Sequence, residues 1–176
     1  NRKLLFDMLL DVHKDATDFG KEIIPDSINT HKVVSYQYDG YWTDIGNIYS
    51  FFEANLALTE DIPLFNLFDN SRAVYTRPRM LPPAKISGTT LEKTLIAEGC
   101  IINASRIENS VTGIRTRIGS GSTIVSTYIM GSDYYETIPE MAHSIERNIP
   151  KLGIGENCKI ENAIIDKDCR IGNNVS

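Results

Sequence analysis

The sequence predicts an α/β segment followed by a left-handed parallel β-helix built from hexapeptide repeats. Three observations predict it. Isoleucine recurs at fixed places in three copies of one pattern in the second half of the chain. A proline-rich stretch precedes those copies, and a helix–strand–helix alternation precedes the prolines.

From the start of the chain, Leu4, Leu5, Met8, Leu9 and Val12 recur at spacings of three and four, which is one face of a helix. Phe19-Gly20 and Pro25 are read as breaking it. Val33 to Tyr38 is rich in β-branched and aromatic residues and predicts a strand, with Asp39-Gly40 as the turn after it. Tyr41 to Asn47 then reads as a short strand and loop. Ile48, Phe51, Phe52 and Leu56 restore helical spacing, with Asn47 placed as the N-cap. This alternation fits the tail of an α/β domain over residues 1–60.

Between residues 61 and 85, Pro63, Pro78, Pro82 and Pro83 are too frequent for regular structure. The stretch is expected to be an extended linker that packs on its neighbours through Leu64, Phe65, Leu67, Phe68, Val74 and Tyr75.

Residues 86–176 carry the repeats. Ile96, Ile102 and Ile107 stand at the first, seventh and twelfth places of one copy, Ile118, Ile124 and Ile129 of the next, and Ile154, Ile160 and Ile165 of a third. Cys100, Ser122 and Cys158 hold the fifth place, Cys169 holds it in a later unit, and Ile171 begins another. A large aliphatic residue every five or six positions, with a small residue near it, is the signature of short strands turning tight corners around a triangular core. The isoleucines are expected to line that core and the small residues its corners. Gly99, Gly119, Gly121, Gly155, Asn157, Gly172 and Asn173 are candidates for corners with positive φ. The copies are interrupted over 130–153 by an inserted loop with a helix around Pro139 to Arg147. Both ends of the sequence look cut, since it lacks an initiator Met and stops inside a repeat.

Composition narrows the function. The net charge is −5 and the pI about 5.2, a balance that argues against nucleic acid and anionic membranes as partners. No apolar run approaches membrane-spanning length, and nothing at the start reads as a signal peptide, so the expected setting is cytoplasmic. Three cysteines without a paired spacing predict neither a disulfide framework nor a zinc site.

Four motifs point further: Asp18-Phe19-Gly20-Lys21-Glu22-Ile23-Ile24-Pro25, Tyr41-Trp42-Thr43-Asp44-Ile45-Gly46, Tyr75 to Lys85, and Met130-Gly131-Ser132-Asp133-Tyr134-Tyr135-Glu136. In this order, around a proline-rich linker and a β-helix, they resemble the glucose-1-phosphate adenylyltransferases (ADP-glucose pyrophosphorylases) of bacteria and plants. Asn47 departs from the Thr usual there. The glycine-rich phosphate loop, the first metal-binding Asp and the Glu-Lys pair of the family are not in this sequence.

The resemblance implies that residues 1–60 are the C-terminal part of a nucleotidyltransferase domain. The parent enzyme would make ADP-glucose and pyrophosphate from ATP and glucose 1-phosphate in glycogen or starch synthesis, with Mg²⁺ as cofactor. It would be a homo- or hetero-oligomer, a tetramer by resemblance, in the cytoplasm or in a plastid if from a plant. The chain alone is expected to be inactive. By resemblance Asp44 is the catalytic and metal-binding carboxylate, and Asp18, Phe19 and Trp42 belong to the glucose pocket. Arg77, Arg79 and Lys167 form an allosteric site for an anionic effector such as a sugar phosphate or phosphate. A turn acceptor is the alternative role for Asp44, and core packing for Phe19 and Trp42. Arg115, Arg117 and Arg170 are read as solubilising cations of the coil surface.

Besides a related sugar nucleotidyltransferase with another base or sugar, two other readings compete. A hexapeptide-repeat acyltransferase uses a His base on its coils, and here the only histidine after residue 85 is His143, in the inserted loop. A non-catalytic β-helix serving assembly or regulation is the other.

Overall fold

A computed structural model describes residues 1–176. Contacts divide the chain into two compact units, Asn1–Gly40 and Tyr41–Ser176.

The first unit is helical. Helix α1 (Arg2–Asp7) is capped by Asn1, whose side chain accepts from the Lys3 and Leu4 amides, and it runs on into a wider helical turn over Met8–Val12. Phe19, Gly20 and Pro25 do not break helical structure. Phe19–Ile23 is itself a helical turn, continued by α2 (Ile24–Thr30). The reason is local: Asp18 caps the turn, and Pro25 falls in the first turn of α2, where its missing N–H costs nothing. The strand expected over Val33 to Tyr38 is absent, and Val34 and Tyr36 are among the most exposed apolar residues of the unit. A β-favouring run without a partner strand has nothing to exchange its backbone hydrogen bonds with.

In the second unit, Tyr41 to Asn47 is irregular rather than a strand. Helix α3 (Ile48–Leu56) follows with the expected cap: the Asn47 side chain accepts from the Ser50 amide while Ser50 Oγ accepts from the Asn47 amide. Through the linker only Asn70–Arg72 makes a helical turn. Leu64, Phe68 and Tyr75 are 79% to 97% exposed, whereas Phe65 packs against the Tyr41 ring at 6.3 Å, so the linker packs on its neighbours only in part.

The coil then builds in eleven short strands. β1 (Lys85–Ile86), β3 (Ile101–Ile102), β5 (Arg117–Ile118), β8 (Gly153–Ile154) and β11 (Arg170–Ile171) form one parallel sheet in that order. β2 (Thr90–Ile96), β4 (Arg106–Thr112), β6 (Thr123–Val125), β7 (Tyr128–Ile129), β9 (Lys159–Glu161) and β10 (Ile164–Ile165) form a second. Every pairing is parallel. Isoleucines stack in columns: Ile102 beside Ile118 beside Ile154 beside Ile171, and Ile107 beside Ile124 beside Ile160. The first two sequence copies, offset by 22 residues, are therefore not stacked on each other, whereas the second and third are, Ile118 on Ile154, Ile124 on Ile160 and Ile129 on Ile165. Ile118 neighbours Ile102 rather than Ile96.

Ile102, Ile107, Ile118, Ile124, Ile129, Ile154 and Ile165 form a single buried core with Cys100 and Cys158, and Ile96, Ile160, Ile171 and Cys169 pack partly buried against it. Ser122 is fully buried and accepts from the Cys158 amide. Burial at this level contributes about 1.5–3 kcal/mol for each large aliphatic side chain.

Of the corner candidates, Gly99, Gly121 and Asn157 have positive φ, whereas Gly119, Gly155, Gly172 and Asn173 do not. Gly119 is required for a different reason, since a Cβ there would meet the Gly155 carbonyl of the next coil at 2.5 Å. Much of the left-handed corner work falls to larger residues, among them Asn109, Arg115, Ser126 and Asp168.

The inserted loop carries α4 (Ile138–Glu146), started by a Thr137–Glu140 capping box with Pro139 in its first turn. On another face, α3 packs against the coil, with Phe51 edge-on to Tyr128 at 5.2 Å and Thr59 Oγ1 donating to Asn109 Oδ1 at 2.9 Å.

Candidate functional site

Two places in the second unit gather residues singled out by their chemistry. The first is the segment entering α3. Tyr41, Thr43 and Ile45 line an apolar cleft of about 320 Å³ together with Ala54, Leu58 and Phe65. Trp42 and Asp44 alternate with them and take no part in that lining. Trp42 is 75% exposed, and Asp44 is exposed with no hydrogen bond or ion pair. A turn acceptor would be engaged by backbone amides, and Asp44 is not. A Cβ added at Gly46 would stand 3.6 Å from Asp44 Oδ2, so the bare backbone leaves the carboxylate open on that side.

In the first unit, Asp18 is committed to structure. Its Oδ1 accepts from the Gly20 and Lys21 amides, each at 2.9 Å, which caps the following turn. Its Oδ2 lies 3.7 Å from Lys21 Nζ. Phe19 is half-exposed and is not a core residue.

The second place is where the coil meets the inserted loop. Lys167 Nζ donates to Asp133 Oδ1 at 2.6 Å. Asp133 is held below the usual carboxylate range, chiefly by that hydrogen bond and further by the positive charges of Lys167, Arg115 and Arg79. The charges of Arg79, from the linker, and Lys167, from the last turns of the coil, thus both act on Asp133, with Lys167 in direct contact. Arg77 is exposed and makes no ion pair. Arg115 joins the group: its Nη1 donates to the Ser132 carbonyl at 3.3 Å and its guanidinium lies 5.7 Å from the Tyr135 ring centre.

Arg170 is not a solubilising surface cation either. Its guanidinium donates to Glu136 at 2.6 Å and to the Pro150 carbonyl at 2.8 Å, and the Glu136 side chain is only 5% exposed. Glu136 also accepts from the Leu152 amide, so one carboxylate ties both arms of the inserted loop to the coil. Spacing could not reveal Asp133 or Arg115 as members of one cluster, because their partners come from distant turns. The only signal was Asp133 lying inside a family motif.

Residues 79–176 match the GLGC left-handed parallel beta-helix domain. The chain belongs to this family. Its parallel coil is accordingly left-handed, and the positively charged group around Asp133 lies within the GLGC domain. Residues 2–61 match the nucleotidyl transferase family, which includes the segment carrying Trp42 and Asp44. Over 177 aligned positions and 99% of its length, the chain is 42% identical to a "glucose-1-phosphate adenylyltransferase small subunit, chloroplastic/amyloplastic" of Triticum aestivum. It spans 37% of that relative's length. No helix is long and apolar enough to cross a membrane.

Proposed function

We propose that this chain is the C-terminal portion of an enzyme that forms ADP-glucose from ATP and glucose 1-phosphate. The observation that carries the reading is 42% identity to the wheat adenylyltransferase subunit, sustained over both the nucleotidyl transferase and the β-helix segments. In that reaction a phosphate oxygen of glucose 1-phosphate attacks the α-phosphorus of ATP. The bond from that phosphorus to the bridging oxygen breaks, and pyrophosphate leaves. The protein's task is positioning and charge neutralisation.

Asp44 suits a role at the phosphates because it is an open carboxylate with no competing partner. No group of three or more His, Cys, Asp or Glu side chains is arranged to hold a metal within the chain. A single carboxylate is nonetheless what Mg²⁺ takes when substrate phosphates and water complete its shell. Asp44 would hold it there, and a bound Mg²⁺ would neutralise phosphate charge. Trp42, 75% exposed, offers an aromatic face for the sugar. Asp18 and Phe19, in the first unit, are proposed sugar-contacting residues, with Asp18 Oδ1 engaged by its cap and Oδ2 facing Lys21 at 3.7 Å.

The group of Arg79, Arg115 and Lys167 supports a regulatory site for an anionic effector, with Arg77 contributing from the linker. It belongs to the linker and the β-helix and borders the segment of Asp44, since Ile45 and Gly46 share a cavity with Met130 and Asp166. An oligomer, a homo- or heterotetramer, goes with this reading, and the wheat relative's description as a small subunit supports it. That relative is chloroplastic or amyloplastic, which makes a plastid as suitable a setting as the cytoplasm.

The test is a hybrid polypeptide in which this chain replaces the matching stretch of the wheat subunit. Assayed with ATP, glucose 1-phosphate and Mg²⁺, it should release pyrophosphate and ADP-glucose, whereas the 176-residue chain alone should release neither. A folded hybrid with no turnover would count against the reading.

A further inference from the structure

We propose that Asp133 is the resident anion of the basic group formed by Arg79, Arg115 and Lys167, and that a ligand enters by displacing it, so that the site selects phosphate over carboxylate. The proposal rests on the anion-site reading above and concerns what occupies that site when no ligand is bound.

The geometry carries it. Two cations from separate turns of the coil meet beside a loop residue: Lys167 touches Asp133 at 2.6 Å, and Arg115 donates to the carbonyl of the preceding Ser132 at 3.3 Å, with the charge of Arg79, from the linker, acting on Asp133 as well. Two other carboxylates flank the group, Asp166 and Asp168. Both are engaged by backbone amides, Asp166 by that of Lys167 at 2.7 Å and Asp168 by that of Asp133 at 2.9 Å, and neither pairs with a cation. Of these three aspartates, Asp133 is the one that pairs with a cation. Its side chain remains 56% exposed and that of Lys167 49% exposed, so the pair can open without breaking the core.

Arg115 sits at a coil corner with φ +58°, a conformation it shares with other larger residues such as Lys93 and Ser126. Here that conformation sets its guanidinium against Tyr135 and the Ser132 carbonyl, beside Asp133.

Selection follows from what displacement must gain. A monocarboxylate replacing Asp133 exchanges one carboxylate for another and forfeits the advantage of an intramolecular partner. A phosphate dianion carries more charge and more acceptor oxygens, so it can engage Lys167 and both guanidinium groups together. Removing the competitor should tighten binding by the inverse of the fraction of time the site is open. For a pair closed about nine-tenths of the time, that is about tenfold.

The test is titration of the 176-residue chain with inorganic phosphate, and separately with acetate, at constant ionic strength and pH, followed by amide NMR shifts at residues 131–135 and 166–168. The proteins are the parent chain, Asp133→Asn, Asp133→Ser and Lys167→Ala. Phosphate should bind the parent chain and acetate should not. Both Asp133 variants should bind phosphate about tenfold more tightly and should now respond to acetate. Lys167→Ala should lose phosphate binding. Unchanged or weaker phosphate binding in both Asp133 variants, with Lys167→Ala still defective, would overturn displacement while leaving the anion site standing. No phosphate response in any of the four proteins would overturn the site and the displacement together.

Discussion

Glu136 and Arg170, 34 residues apart in sequence, meet at 2.6 Å and hold the inserted loop onto the β-helix. The carboxylate is nearly buried, and the guanidinium, about a quarter exposed, is held more firmly protonated by its hydrogen bond to Glu136. Because Glu136 also accepts from the Leu152 amide, its loss frees both arms of the loop.

Glu136→Gln should therefore destabilise the second unit by about 2–3 kcal/mol, below the full cost of breaking a wholly buried pair because Arg170 keeps some water. Amide hydrogen exchange should rise across residues 134–152 before the coil itself opens. Exchange that rises equally everywhere would mean that the pair stabilises the coil and not the loop.

Core isoleucines should respond very differently from exposed ones. Ile124 is fully buried, and Ile124→Ala should cost about 2–5 kcal/mol in denaturant unfolding. Ile138, 80% exposed at the start of α4, should change stability by less than about 0.5 kcal/mol when cut to Ala.

The cysteines should separate in the same way. Cys100 and Cys158 are buried, and burial pushes the Cys100 thiol up, away from the reactive thiolate. Cys169 is partly exposed. A thiol reagent under native conditions should label Cys169 first, and labelling of Cys100 should await unfolding. Equal rates at the three would contradict a closed core.

The coil was legible because its core demands an aliphatic residue at nearly every strand, and Ile102, Ile118 and Ile154 advertise that demand without any partner information. The stacking register was legible only in part: the second and third copies stack, but the first two do not, because the hexapeptide signal repeats about three times per coil and an offset of one coil plus one side matches as well as a whole number of coils. Val33 to Tyr38 shows a second limit. Its composition favours a strand, but a strand needs a partner, and none is present in Asn1–Gly40. The site divided similarly. Trp42 and Asp44 stand in one short motif, so resemblance could single them out. The meeting of Asp133 with Lys167 depends on how many turns the coil makes between them, which local spacing does not encode.

Asp133 also gives the structure a pH signature. Its folded-state pKa lies below the ordinary value, so the Lys167 pair contributes fully above the usual Asp range and is lost as pH falls through the depressed folded-state pKa. In Lys167→Ala, the NMR titration of the Asp133 carboxyl should move up towards the ordinary range. An unmoved midpoint would show that Lys167 is not the cause.

The most direct test of the account is the turnover of the wheat hybrid with Asp44→Asn, measured as pyrophosphate release at limiting Mg²⁺. An amide holds Mg²⁺ more weakly than a carboxylate, and an exposed residue without hydrogen bonds has no part in folding. The account predicts an intact circular dichroism spectrum and a kcat at least about a hundredfold lower, a loss of about 2.7 kcal/mol in transition-state stabilisation. A folded variant with near-normal turnover would contradict it.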